Sequence, residues 1–200
     1  MINRMIVGIS GASGALLGIE LLKTMQNFPN WETHLVISKG AERTILEETN
    51  YKIFEVFELA TKVYPIEDIG ASIASGTFKT DGMVIIPCSM KTLGGIASGY
   101  SDNLLLRAAD VTIKERRNLV LVTRESPFSR IHLKNMLYLA ELGSIILPPV
   151  LNFYNHPENM EDFIKHVLGK VLDVFDIELN NFKRWGENEQ EKKIYSKHYK

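Results

Sequence analysis

Short apolar runs recur along the chain, each followed by a polar turn and then by a stretch with helical spacing. Met5, Ile6, Val7 and Ile9 predict a strand over 5–9, and residues 15–25 carry the helix it feeds. A second strand is expected at 33–37 and a helix from 40 to about 49. Residues 51–75 are less regular: Phe54, Val56, Phe57 and Leu59 suggest a short helix, and 69–76 a loop. The third strand, 82–87, is continuously apolar, as expected of a strand covered on both faces. Helical spacing follows at 92–97 and 102–116, then a fourth strand at 119–123 and a helix at 129–142. A fifth strand at 144–147 is stopped by Pro148 and Pro149, and a last helix runs from about 157 to 175. Repeated strand–helix units predict an α/β single-domain three-layer sandwich: a mostly parallel sheet with helices on both faces, in a Rossmann- or flavodoxin-like order. Residues 1–187 are expected to form that domain, and 188–200, charged and without a core pattern, a tail.

Ligands of such sheets bind beyond the carboxyl ends of the strands, where the strand order reverses. The first turn is the richest in small residues, with Gly8, Ser10, Gly11, Ser13 and Gly14 leading into the first helix. Helix N-terminal amides point outward and the helix dipole adds partial positive charge there, so an anion is expected at this turn, most simply a phosphorylated cofactor. The spacing is Gly8-x-x-Gly11-x-x-Gly14, not G-x-G-x-x-G, and the second strand ends in Ser38-Lys39 with no carboxylate for a ribose. No G-x-x-x-x-G-K-[ST] is present. A mononucleotide or other monophosphate fits better than NAD; a tight turn with nothing bound is the competing reading.

The other strand ends collect polar groups too. Ser89, Lys91 and Thr92 follow the third strand, Arg124, Glu125 and Ser126 the fourth, and Asn152 to Asn155 the fifth. Any one could be a helix cap or a solvated charge. Several on one rim point to a phosphate site, and Arg124 most of all, because a guanidinium binds phosphate in a forked geometry. Arg107, Asp110 and Lys114 share one face of a helix, a face that is either functional or merely solvated.

Composition narrows the class. The 45% hydrophobic and 24% charged content are those of a soluble globular chain, and a net charge of −1 makes no case for nucleic acid or an acidic membrane. No run approaches the length of a membrane helix, the start lacks a signal-peptide pattern, and the single cysteine, Cys88, fits a reducing cytoplasm. Cys88 has no evident base partner, and the 5 histidines show no ligand spacing, so no metal is expected.

These residues carry a resemblance. Gly8-Ile-Ser-Gly-Ala-Ser-Gly14, Ile37-Ser-Lys39, Pro87-Cys-Ser-Met-Lys-Thr92, Asp102-Asn-Leu-Leu-Leu-Arg-Ala-Ala-Asp-Val111 and Lys114-Glu-Arg-Arg117 are its first half. Thr123-Arg-Glu-Ser-Pro-Phe128, Ile131-His-Leu-Lys-Asn-Met136, Phe153-Tyr154 and Arg184-Trp-Gly-Glu187 complete it. Together, over about residues 4–187, the chain resembles the UbiX-like flavin prenyltransferases. Residues 75–83 look most like the branch encoded as the "B subunit" of bacterial hydroxyarylic acid decarboxylases.

The resemblance implies a flavoprotein that joins the dimethylallyl group of dimethylallyl monophosphate to reduced FMN, at N5 and C6, without metal. The prenylated FMN would then serve a UbiD-type decarboxylase. By position, Gly11, Ala12, Ser13, Ser38, Ser89, Met90, Lys91, Thr92 and Arg124 would hold FMN. Lys114, Arg124, Tyr154 and Lys170 would hold the prenyl phosphate, and Arg107 and Trp185 would complete the pocket. Ser13 and Glu48 would lie near N5, and Glu125 would move protons. Lys170 stands where many relatives have Arg, which keeps the charge and loses the fork. Relatives form a homo-dodecamer with active sites at subunit interfaces. A non-catalytic FMN-binding accessory subunit is the alternative.

Overall fold

The computed structural model describes residues 2–180, 182 and 184. The chain divides into two compact units, Met1–Pro149 and Val150–Lys200.

The first unit is built on a six-stranded sheet: β1 (Asn3–Ile9), β2 (Trp31–Ile37), β3 (Lys62–Tyr64), β4 (Gly82–Cys88), β5 (Asn118–Thr123) and β6 (Ile145–Ile146). The order is β3-β2-β1-β4-β5-β6 and every pairing is parallel. This is the doubly wound order, whose switch point lies between β1 and β4. The central strands are apolar on both sides because both sides are covered. All seven residues of β4 are buried.

The helices are α1 (Ala15–Met25), α2 (Lys39–Glu48), α3 (Ile53–Glu58), α4 (Met90–Ala97), α5 (Leu104–Lys114) and α6 (Arg130–Glu141). α1 packs on β1, β2 and β4; α5 packs on β2, β4 and β5, with α4 beside it and α6 against α4. Close approach of α1 depends on Gly18, where an added Cβ would come within 2.5 Å of the Ile86 carbonyl oxygen. A hydrophobic core lies on the α5 side, where Met83, Ile85, Leu119 and Leu121 meet Leu93, Leu104, Leu105, Met136 and Leu139.

The sequence pattern located five strands; the sixth is β3, a three-residue edge strand too short to show a period. Thr33 and Thr61 pin its start by exchanging amide-to-hydroxyl bonds of 3.0 and 3.1 Å. The segment after β3 holds a single 3₁₀ turn, Ser72–Ala74. A buried chain ties it down: His34 Nδ1 to the Tyr64 hydroxyl at 2.8 Å, and that hydroxyl to Ser72 Oγ at 2.9 Å.

The second unit contains α7 (Met160–Asp173), capped by Asn159, whose side chain accepts from the Asp162 amide. Phe182 lies against α7 so closely that a Cβ on Gly169 would meet its ring at 2.4 Å. Arg184 forks onto Asp173 through two bonds of 2.8 and 2.6 Å.

Candidate functional site

The carboxyl ends of the central strands are tied into one rim by main-chain bonds. Ser10, fully buried, is the central tie: its hydroxyl donates to the Pro87 carbonyl at 2.9 Å and accepts from the Ser89 amide at 2.8 Å. The Ser38 amide donates to the Ile9 carbonyl at 3.0 Å, and the Arg124 amide to the Cys88 carbonyl at 3.1 Å. The turns after β1, β2, β4 and β5 therefore hold fixed positions around the switch point. Gly11 touches the start of α2, and an added Cβ would sit 2.9 Å from Gly40 backbone atoms. A residue directly after a wholly buried strand must find a partner if it is polar. That rule, applied to Ser10, was the available signal for a tie the sequence reading passed over.

Ser38 and Ser89 are the N-caps of α2 and α4, accepting from the Ala41 and Thr92 amides at 3.2 Å each. The Ser89 hydroxyl also donates to Thr92 Oγ1 at 3.1 Å. Met90 is half-buried, Thr92 buried and Lys91 exposed. Cys88 is fully buried and its thiol is pushed up to about 12 by burial, so it is inert packing.

The first turn departs from expectation. Its helix-start amides do not point into open solvent: Gly14 and Ala15 donate to Glu48 Oε2 at 2.8 and 3.2 Å. Gly14, at φ 98°, is the N-cap of α1 and has no side chain to offer, so the last residue of α2 closes the helix end from 34 positions away. The anion at this helix end is the protein's own carboxylate. Partial burial pushes Glu48 up, but hydrogen bonds from the Ser13 side chain and the Gly14 and Ala15 amides, with the charge of Arg124, leave it below the usual carboxylate range. Ser13 and the charge of Arg124 both favour the ionised form of Glu48. An open groove of about 670 Å³, lined by Leu16, Glu48, Thr49, Tyr51, Glu55 and Leu59, adjoins the carboxylate.

Glu125 is half-buried and accepts from the Ser126 amide at 2.9 Å. It does not cap α6; Ser129 does, accepting from the His132 amide at 3.2 Å.

Lys114 is elsewhere. It ends α5, four residues before Asn118 opens β5 beside Gly82, the first residue of β4. It therefore lies at the amino edge of the sheet, a strand length of about 20 Å from the rim. There it pairs with Glu115, while Arg107, higher on the helix, donates to Asp110 at 2.6 Å.

Comparison with known proteins decides the family. The flavoprotein family model matches residues 2–175. A probable UbiX-like flavin prenyltransferase of Sedimentibacter hydroxybenzoicus is 54% identical over 182 residues, 91% of this chain and 96% of that protein. The chain belongs to the UbiX-like flavin prenyltransferases. Among solved structures, AnUbiX in complex with FMN and dimethylallyl pyrophosphate aligns with a TM-score of 0.92 at 48% identity, over 94% of this chain and 100% of that one. A dodecameric FMN-dependent UbiX-like decarboxylase from Escherichia coli O157:H7 aligns at 0.90 with 52% identity, over 91% and 98%.

The remaining UbiX-like positions fall in the second unit. Tyr154 packs edge-on against His166, ring centroids 5.8 Å apart, and His166 lies one turn before the exposed Lys170 on α7. Burial, aided by the charge of Lys170, holds His166 below its ordinary value. Tyr154 and Lys170 are thus joined through a histidine that sequence reasoning had examined only for metal spacing. Trp185 lies outside the described residues. Among the described residues no His, Cys, Asp and Glu cluster could hold a metal, and no helix is long and apolar enough to cross a membrane.

Proposed function

We propose that this protein transfers the dimethylallyl group of dimethylallyl monophosphate to reduced FMN, making prenylated FMN for a UbiD-type aromatic acid decarboxylase. The observation that carries the reading is the rim of hydroxyl and cationic residues at the switch point, where Ser10 locks the turns after β1 and β4 and Glu48 closes α1 beside Ser13. The residues fit a flavin mononucleotide: with no Cβ on Gly11, the turn after β1 closes directly on Gly40 at the start of α2, which brings the small and hydroxyl residues of the two turns together. Gly11, Ala12, Ser13, Ser38, Ser89, Met90, Lys91, Thr92 and Arg124 hold it there. When bound, reduced FMN supplies the nucleophilic N5 and C6 positions.

The chain's own residues manage the leaving group. The ester C–O bond breaks with its electron pair going to phosphate, and the developing charge needs cations and donors placed beforehand. Arg124 and Lys114 in the first unit and Lys170 and the Tyr154 hydroxyl in the second are the cations and donors suited to that task. Glu125, one residue past Arg124, carries the proton that a metal-free departure requires. Glu48 holds the Ser13 hydroxyl in place, and Arg107 is the further candidate for contact with the allylic group, as is Trp185, which lies outside the described residues. A protein that only carried FMN would have no use for Glu125, Tyr154 and Lys170.

Lys114 serves a neighbouring copy, because about 20 Å separate it from its own rim. The assembly is a homo-oligomer, a dodecamer like the relative from Escherichia coli. The flanks of α6 support association: Ile131, Leu133, Leu137 and Tyr138 are 70%, 53%, 61% and 48% exposed. Since the acceptor is reduced flavin, the reaction belongs in a reducing compartment, the cytoplasm. The test is mass spectrometry of the flavin after anaerobic incubation with dithionite, FMN and dimethylallyl phosphate. A mass gain of one prenyl unit is expected; bound FMN of unchanged mass would leave only a carrier.

A further inference from the structure

The amino edge carries a charge arrangement that the transfer reaction does not by itself explain. Lys114 Nζ is in direct contact with Glu115 Oε1, the side chains being 47% and 34% exposed. Gly76 faces this pair without a side chain. An added Cβ there would lie 2.1 Å from Glu115 Oε1 and 2.8 Å from Lys114 Nζ. The backbone at Gly76 is itself held, since Arg117 Nη2 donates to the Gly76 carbonyl at 2.7 Å. Arg117 Nη1 reaches the Phe78 carbonyl at 3.0 Å and Thr80 Oγ1 at 3.3 Å. The carboxylate is therefore seated between its lysine and a fixed main chain.

We infer that Glu115 is a specificity-determining residue, which makes the phosphate subsite favour a monophosphate ester over a diphosphate. The inference rests on the reading that Lys114 meets the prenyl phosphate of another copy. An ammonium has three N–H donors, so Lys114 can hold Glu115 and an incoming anion together. The pair presents donors with no net charge, and the anion also meets a carboxylate close by. Repulsion from that carboxylate grows with the charge of the ligand, so the diphosphate suffers more than the monophosphate. A lysine alone would reward the more highly charged ester; the pair removes that reward.

The test compares wild-type, Glu115→Gln, Glu115→Asp and Lys114→Met proteins, full-length and loaded with FMN. Calorimetry gives the affinities for inorganic phosphate and pyrophosphate, and anaerobic kinetics the KM values for dimethylallyl phosphate and diphosphate. Glu115→Gln should tighten pyrophosphate relative to phosphate by at least about threefold, the effect of one unit charge at about 6 Å in water-like surroundings. The gain should shrink as salt is added, and Glu115→Asp should keep the wild-type ratio. An unchanged ratio in Glu115→Gln, with both anions weakened in Lys114→Met, overturns the role of Glu115 alone. Unchanged affinities in Lys114→Met remove Lys114 from the subsite, and this inference with it.

Discussion

The polar ties of the carboxyl rim and the Lys114–Glu115 pair at the amino edge find their partners in opposite ways. At the carboxyl rim, partners come from far along the chain: Ser10 binds residues 77 and 79 positions away, and Glu48 closes a helix 34 positions away. At the amino edge the charged pair is between neighbours, Lys114 and Glu115, and both side chains reach solvent. Long-range bonds fix a rim before any ligand arrives, and preorganised groups of that kind stabilise charge without moving. An exposed neighbour pair contributes little to folding. On the proposed function, the rim is the part fixed within one chain and the Lys114–Glu115 pair the part offered to another copy.

The largest expected effect tests the chemistry of the rim. Glu125→Gln keeps the side-chain volume and should keep FMN affinity, while turnover falls by about 10²–10⁴-fold, the usual contribution of a proton-transfer group. Fluorescence titration of FMN beside single-turnover flavin spectra separates the two. A loss of FMN together with activity, or turnover within a few-fold of wild type, would remove Glu125 from the mechanism.

The next tests the division of labour between the ends. Glu125→Gln and Lys114→Met proteins, each nearly inactive, should regain activity when dissociated, mixed in equal amounts and reassembled. If each site takes one rim and one lysine from different copies, about a quarter of sites recover both native groups. No recovery in verified mixed oligomers would place both residues in a single chain's site and erase the contrast.

Smaller effects measure how firmly the rim is built. Ser10→Ala removes the fully buried hydroxyl that accepts from the part-buried Ser89 amide and should cost about 1–3 kcal/mol, with a weaker FMN affinity. Thermal melts with and without FMN report both. Glu48→Gln should cost about 0.5–2 kcal/mol, as loss of a charged helix cap does. Because the folded-state value of Glu48 lies below its ordinary 4.5, its contribution is present above about that pH and fades as pH falls through the folded value. Acid titration of stability should therefore be shallower in Glu48→Gln than in wild type below about pH 4.5; identical slopes would mean that the carboxylate does not close α1 in solution.

Much of this was legible in the residues. The bounds of α1 follow from its spacing, and the buried strands announce themselves by having no polar face. β3 stayed hidden because three residues, two of them Lys62 and Val63 at a sheet edge, carry no period. The partner of the α1 amides was hidden for a different reason: Glu48 reads as an ordinary charge ending a helix, and only the packing of α2 beside α1 brings it to Gly14. Lys114 was legible as part of a charged face with Arg107 and Asp110. Which end of the sheet that face reaches depends on strand direction, and helical spacing alone does not contain it.

The Arg117 clamp grips carbonyl oxygens of the stretch through Gly76 and Phe78, so that stretch keeps its course whatever side chains hang from it. Ser75, Thr77 and Lys79 are exposed on it and take no part in the grip. Such a stretch has evolutionary latitude: its outer surface can drift while the seat beneath Lys114 and Glu115 stays where it is. Substitutions at Ser75, Thr77 and Lys79 should thus change what the amino edge displays without moving the main chain against which Lys114 and Glu115 rest, whereas a side chain at Gly76 would push the pair aside.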